Sequence, residues 1–274
     1  MRRGCTPEEV GVTAASLQWT EEFAEVAGEK LYLRRGGSGS PVLVLHHDIG
    51  DPGPLPFYDL IAEQHTVYVP SHPGFGRSDR PAWMRSVRDL AAVYQWLLAD
   101  LGAERAALVG LGFGGWIAAE MASLAPAGFS GLVLVGAMGL KPPEGEILDQ
   151  ALLNHVAYLR AGFQDPTVCD AVFGAEPPIE QLEAWEINRD MVFRIAWRPY
   201  MFNPTLPHLL GGVRSPALVV WGRDDRIVPL SAGEAYARVL PRARLEIIED
   251  CGHWVEMERP DVLGRLVTDF LAAV

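Results

Sequence analysis

Four short apolar runs set the terms on which this chain can fold: PVLVLH at 41–46, AALVG at 106–110, GLVLVG at 131–136 and ALVVW at 217–221. A strand that is apolar on both sides of its pleat needs cover on both faces, which a parallel sheet between helices supplies. Segments with helical apolar spacing fall between and after these runs, at 55–63, 87–101, 113–124, 232–240 and 262–272. Further strands are expected at 66–70 and 245–248, and a hairpin at 22–26 and 30–35 around Gly28. This alternation implies right-handed crossovers and an α/β fold: a mostly parallel central sheet with helices on both faces.

Two stretches break the pattern. Residues 1–17 are polar and aperiodic and read as a flexible N-terminal arm. Residues 138–212 carry no convincing strand; helical segments at 147–159 and 182–196 are separated by prolines. The expected organisation is a core of 18–137 and 213–274, with a helical cap, 138–212, inserted after the sixth strand. Trp185, Phe193 and Trp197 in the cap, with Trp254 from the core, are the expected walls of an apolar substrate pocket. The exposed part of such an aromatic segment also offers a face for a homodimer.

Charge narrows the partners. Asp and Glu number 35 against 23 Lys and Arg, a formal net charge of -12, which opposes nucleic acid and anionic membrane surfaces and leaves a small molecule as the expected partner. Three cysteines without a CxxC pair give neither a disulfide framework nor a zinc site. No signal-peptide pattern and no apolar run of membrane-spanning length is found, so a cytoplasmic setting is expected. No cofactor or metal is called for. Gly110, Gly112 and Gly115 do satisfy a G-x-G-x-x-G spacing, but the turn follows a mid-chain strand and lacks the acidic residue about twenty positions on that dinucleotide binding uses. His47, Asp48 and His253 make a two-histidine, one-carboxylate set, yet nothing in their spacing demands a metal.

The chemistry concentrates in three places. LVGLGFGGWIAAEMA at 108–122 is a buried strand turning through Gly112 into a helix, the shape of a G-x-S-x-G elbow. WGRDDRIVP at 221–229 and DCGHW at 250–254 each follow a strand. The order elbow, acid, histidine is that of the α/β-hydrolases. With PVLVLHH and PSHPGFGRSD, these motifs make the chain from Lys30 onward resemble the α/β-hydrolase superfamily, and within it the hydrolases of meta-cleavage products and related esterases. The resemblance implies Asp225 as acid, with Asp224 as substitute, His253 as base, and His46 as a structural residue of the loop after the third strand. Phe113 N–H, with His47 or Asp48, is implied as the oxyanion hole.

The departures are as telling. Gly112 stands where the resemblance places a serine, His47 stands where it places a glycine, and Asp48 sets a carboxylate beside the oxyanion site. Losing a nucleophilic serine costs roughly a million-fold in turnover, so acyl-serine chemistry is closed to this chain. Gly112 is expected to leave room for water or a substrate atom. The reading is an enzyme acting on a small apolar carbonyl, ester or diketone-like substrate, with His253 and Asp225 as a non-covalent base. The alternatives are a lapsed hydrolase that binds a ligand, and an engineered Ser→Gly variant. Asp48 reads as a second acid–base group, as a polar substrate contact, or as a loop carboxylate capping a backbone N–H.

Overall fold

The computed structural model describes residues 17–274. The arm expected at 1–17 lies outside the described residues except for Leu17. An eight-stranded sheet runs in the order β1-β2-β4-β3-β5-β6-β7-β8. β1 (Trp19–Val26) and β2 (Glu29–Gly36) form the expected hairpin, turning through Ala27 and Gly28 at φ 56° and 80°. β2 pairs antiparallel with β4 (His65–Pro70). Every later pairing is parallel, through β3 (Ser40–Leu45), β5 (Ala107–Leu111), β6 (Leu132–Val135), β7 (Ala217–Gly222) and β8 (Ala243–Ile248). β5, β6 and β7 are buried at every residue, which is why they read as unbroken apolar runs.

Helices cover both faces. α1 (Pro56–Ala62) packs on α10 (Pro260–Leu271), and α2 (Val87–Asp100) packs on α3 (Phe113–Leu124). Ser86 and Asp89 close α2 with a reciprocal capping box, which fixes where it starts. α8 (Leu230–Val239) lies against β7 and β8, and the short α9 (Val255–Glu258) precedes α10.

Between β6 and β7 the chain forms α4 (His155–Ala161), α5 (Pro166–Phe173), α6 (Ile179–Ala196) and α7 (Leu206–Leu210). The helix expected over 147–159 is largely absent. Asp149 caps a single 3-10 turn at Gln150–Leu152, and Asn154 caps a new start at His155, so local side-chain caps outcompete the apolar spacing. The segment leaves and rejoins the body at a neck, where Gly139 N–H donates to Met201 O and Asn203 N–H to Gly139 O, both at 2.9 Å. α7 lies beyond this neck and packs against α3 and α8. Among the described residues, no helix is long and apolar enough to cross a membrane.

Candidate active site

The carboxyl ends of parallel strands are where an α/β sheet gathers functional loops. Here β3 delivers residues 46–50, β5 the turn at Gly112, β7 Asp225 and β8 His253. The Asp225 loop is held by Trp221, whose Nε1 donates to Val228 O at 2.9 Å. Asp225 Oδ1 accepts from Ile227 N at 2.9 Å and Val228 N at 2.8 Å, and its Oδ2 lies 2.8 Å from His253 Nδ1. His253 therefore carries a proton on Nδ1 and directs Nε2 away from the carboxylate. Both side chains are sealed from solvent. Burial pushes the His253 pKa down, but the Asp225 charge and hydrogen bond, with the Asp48 and Glu256 charges, lift it above the ordinary value of 6.5.

Gly112 caps the start of α3 at φ 51°, ψ -109°, backbone that a side chain adopts only under strain. Strand and helix close tightly behind it: Gly114 N–H donates to His46 O at 3.0 Å, and a Cβ at 114 would overlap the Leu45 carbonyl. Phe113 is the first residue of α3, so its N–H has no acceptor within the helix and faces the same end of the sheet.

The room expected at Gly112 is filled. A Cβ built there would overlap His47 Nδ1, with His47 Cε1 at 2.9 Å and His253 Nε2 at 3.0 Å. The His47 ring takes the side-chain volume of residue 112, edge-on to His253 and Trp254 at centroid distances of 5.0 and 4.6 Å. His47 Nε2 stands 3.1 Å from Glu256 Oε1, off the line of a good hydrogen bond. His47 Nδ1 and His253 Nε2 have no hydrogen-bond partner among the described residues.

Asp48 points up into the helices over the sheet. Its Oδ2 accepts from Tyr158 OH at 2.8 Å and Gln150 Nε2 at 3.3 Å, while Oδ1 has no partner among the described residues. It receives side chains rather than capping backbone, as one expectation had it. Burial holds the Tyr158 pKa well above its usual value, assisted by Asp48, so the phenol stays a donor. Asp48, Gln150, Tyr158, Trp185, His155 and Arg189 line a cavity of about 10 Å³, room for about one water. His46 is structural: its Nε2 accepts from His72 N at 3.0 Å and its Nδ1 lies 2.7 Å from His47 O. Burial keeps His46 and His72 neutral, His72 with a pKa of about 3.

Of the expected pocket walls, Trp254 and Trp185 stand at the site. Phe193 and Trp197 do not: they pack on each other at 4.8 Å, and Trp197, edge-on to Tyr200, is 39% exposed. No cluster able to hold a metal is found among the described residues, and the His47, Asp48, His253 set is not one.

Residues 42–266 match the model of the alpha/beta hydrolase family. The chain belongs to that family. A 2-hydroxy-6-oxononadienedioate/2-hydroxy-6-oxononatrienedioate hydrolase of Paraburkholderia phymatum is 31% identical over 86% of this chain and 88% of its own length. A 2-hydroxy-6-oxo-6-phenylhexa-2,4-dienoate hydrolase of Burkholderia cepacia is 29% identical over 95% and 99%. Among solved structures, a variant of the meta-cleavage product hydrolase CumD from Pseudomonas fluorescens superposes with a TM-score of 0.78 at 22% identity, covering 92% of this chain and 97% of that one. A bacterial membrane phospholipase A reaches 0.80 at 24%, covering 93% and 86%, which speaks for the fold alone.

Within this α/β-hydrolase, sequence reasoning missed Glu256, Tyr158, Gln150 and Arg189. Glu256 had a usable signal, since it lies in the same EDCGHWVEMERPD motif as His253, on the short helix that follows it. Tyr158 and Gln150 had none, because their helix start was misplaced.

Proposed function

We propose that this α/β-hydrolase cleaves a carbon–carbon or ester bond next to a carbonyl, with His253 as a non-covalent general base oriented by Asp225. The observation that carries the reading is the unpartnered His253 Nε2, 3.0 Å from where a Cβ of residue 112 would stand, at a residue with no hydroxyl to activate. Water is then the attacking group. His253 Nε2 takes a proton from water as its oxygen bonds to the carbonyl carbon. The adjacent bond breaks, its electron pair leaves with the departing group, and that group recovers the proton. One water is consumed and an acid is released.

The relatives named above are hydrolases of 2-hydroxy-6-oxodienoates, and we take that class as the substrate; the cavity, large enough for about one water, must widen to admit it. Arg189, which also pairs with Glu186 at 2.6 Å, lines the cavity with Asp48 and Trp185 and is the cation there to hold a carboxylate. Trp254 packs edge-on against His47 and His253 at the neighbouring dyad. The test is hydrolysis of 2-hydroxy-6-oxo-6-phenylhexa-2,4-dienoate, followed by loss of its absorbance, with native protein and His253→Gln. The variant is expected to lose turnover by about 10²–10⁴-fold; equal rates, or none from either protein, would sink the reading.

A second reading, a lapsed hydrolase that holds a ligand, is favoured by one observation: the dyad is fully buried beside a cavity of about 10 Å³. A lone engineered Ser→Gly change is disfavoured. A serine at 112 and His47 in its present place exclude each other, so the two departures belong together.

A further inference from the structure

Two buried imidazole nitrogens with no protein partner, His47 Nδ1 and His253 Nε2, converge on the volume above Gly112. A buried nitrogen left unmet is costly and calls for an explanation, and two of them side by side in a catalytic fold make proton transfer the one to test. Around that point stand carboxylates from three elements: Asp225 from the loop after β7, Glu256 from α9 and Asp48 from the loop after β3. Asp48 Oδ1 and both Glu256 oxygens lack partners among the described residues.

This charge pattern is the reverse of an oxyanion hole. Backbone N–H donors stabilise a full negative charge on oxygen only if the surrounding field does not oppose it. Unmet carboxylates in a sealed site oppose it strongly. An intermediate compatible with them is neutral, its oxygen protonated outright. That requires a proton donor at the carbonyl oxygen, opposite the base.

We infer that His47 is a second acid–base group of this site, donating from Nδ1 to the carbonyl oxygen while His253 Nε2 removes a proton on the other side. Taking His253 as base, the inference rests on the function proposed above. With water as the second reactant, the pair gives a neutral hydrate. With an enolisable ketone, it gives an enol: the α-carbon proton passes to His253, its C–H electron pair becomes the C=C bond, and the carbonyl oxygen takes the His47 proton. The reverse steps restore the ketone, so no oxidant or co-reactant is needed. The site accordingly has a proton-transfer activity separable from bond cleavage. Its substrate class is α-keto acids and diketones with a C–H beside the carbonyl.

The probe is phenylpyruvate in D2O, with deuterium entry into its methylene followed by NMR. Native protein is expected to accelerate exchange, and His47→Gln and His253→Gln each to slow it by about 10²–10⁴-fold. The native rate should rise with pH as His253, whose pKa is lifted by Asp225 against burial, gives up its proton. His47→Gly, which opens a cavity, should regain exchange when free imidazole is added, and a merely structural histidine would not give this rescue. Exchange by His47→Gln within threefold of native, or no rescue of His47→Gly, overturns the role of His47 and leaves the His253 reading standing. Exchange by native protein without dienoate hydrolysis removes the cleavage reading and keeps this one. No exchange by native protein overturns the inference. If neither glutamine nor glycine folds at 47, nitrogen-15 NMR of the native histidines decides. Coupled titration of the two rings supports the pair, and independent titration overturns it.

Discussion

The Asp225 end and the Glu256 end of the site each place a carboxylate against a buried imidazole, yet they are built differently. Asp225 spends one oxygen on two backbone N–H groups and the other on an aligned 2.8 Å bond to His253. Glu256 reaches His47 at 3.1 Å without alignment, and neither of its oxygens has a hydrogen-bond partner among the described residues. The first arrangement dictates which nitrogen carries the proton and where the other points. The second fixes where the ring sits, because Gly112, Trp254 and His253 wall it in. Orientation at one end comes from hydrogen bonds, and at the other from packing.

The largest effect should come from breaking the aligned end. Asp225→Asn is expected to lower dienoate turnover by about 10³–10⁴-fold, because an amide no longer dictates the proton's place on His253; kcat at saturating substrate measures it. Next, Gly112→Ala should destabilise the fold by about 2–5 kcal/mol in denaturant titration, combining backbone strain with overlap of His47. In a His47→Gly background the strain and the tight contact with His253 remain but the overlap with His47 is gone, so the penalty should shrink; an undiminished penalty would show that His47 does not occupy that volume. Glu256→Gln, at the packed end, is expected to cost only about 10–100-fold in turnover. A loss equal to that of Asp225→Asn would erase the distinction between the ends.

The smallest effect is on pH. With the His253 pKa lifted above 6.5 by Asp225, Asp48 and Glu256 against the burial that lowers it, the base form is gained, and turnover rises, only above that value. Stability runs the other way. The favourable pairing of charged His253 is fully present below 6.5 and is lost as pH rises through the higher folded value. Thermal melts across this range should show a decline that Asp225→Asn reduces.

How much of this could be read from the sequence follows strand ends. Gly112 directly follows β5, while Asp225 and His253 lie three and five residues past the ends of β7 and β8, in loops whose motifs the sequence displays. The expected sheet and its flanking helices emerged because buried apolar runs announce themselves. What escaped depends on contacts between distant segments. That His47 fills the space above Gly112 is a packing fact no spacing encodes. Phe193 sits in a helix of mixed polarity and Trp197 just past its end, so nothing local said which face was outward. Tyr158 and Gln150 went unseen because side-chain caps at Asp149 and Asn154, not apolar period, decide where α4 begins.

The helices over the sheet are fastened to the strand of residues that bears the base. Gly162 O accepts from His253 N at 2.7 Å, Leu159 O accepts from Trp254 Nε1 at 2.8 Å, and Tyr158 grips Asp48. A displacement of α4 would therefore be transmitted through these bonds to the loop that carries the imidazole, so the setting of that ring is not independent of the helix above it.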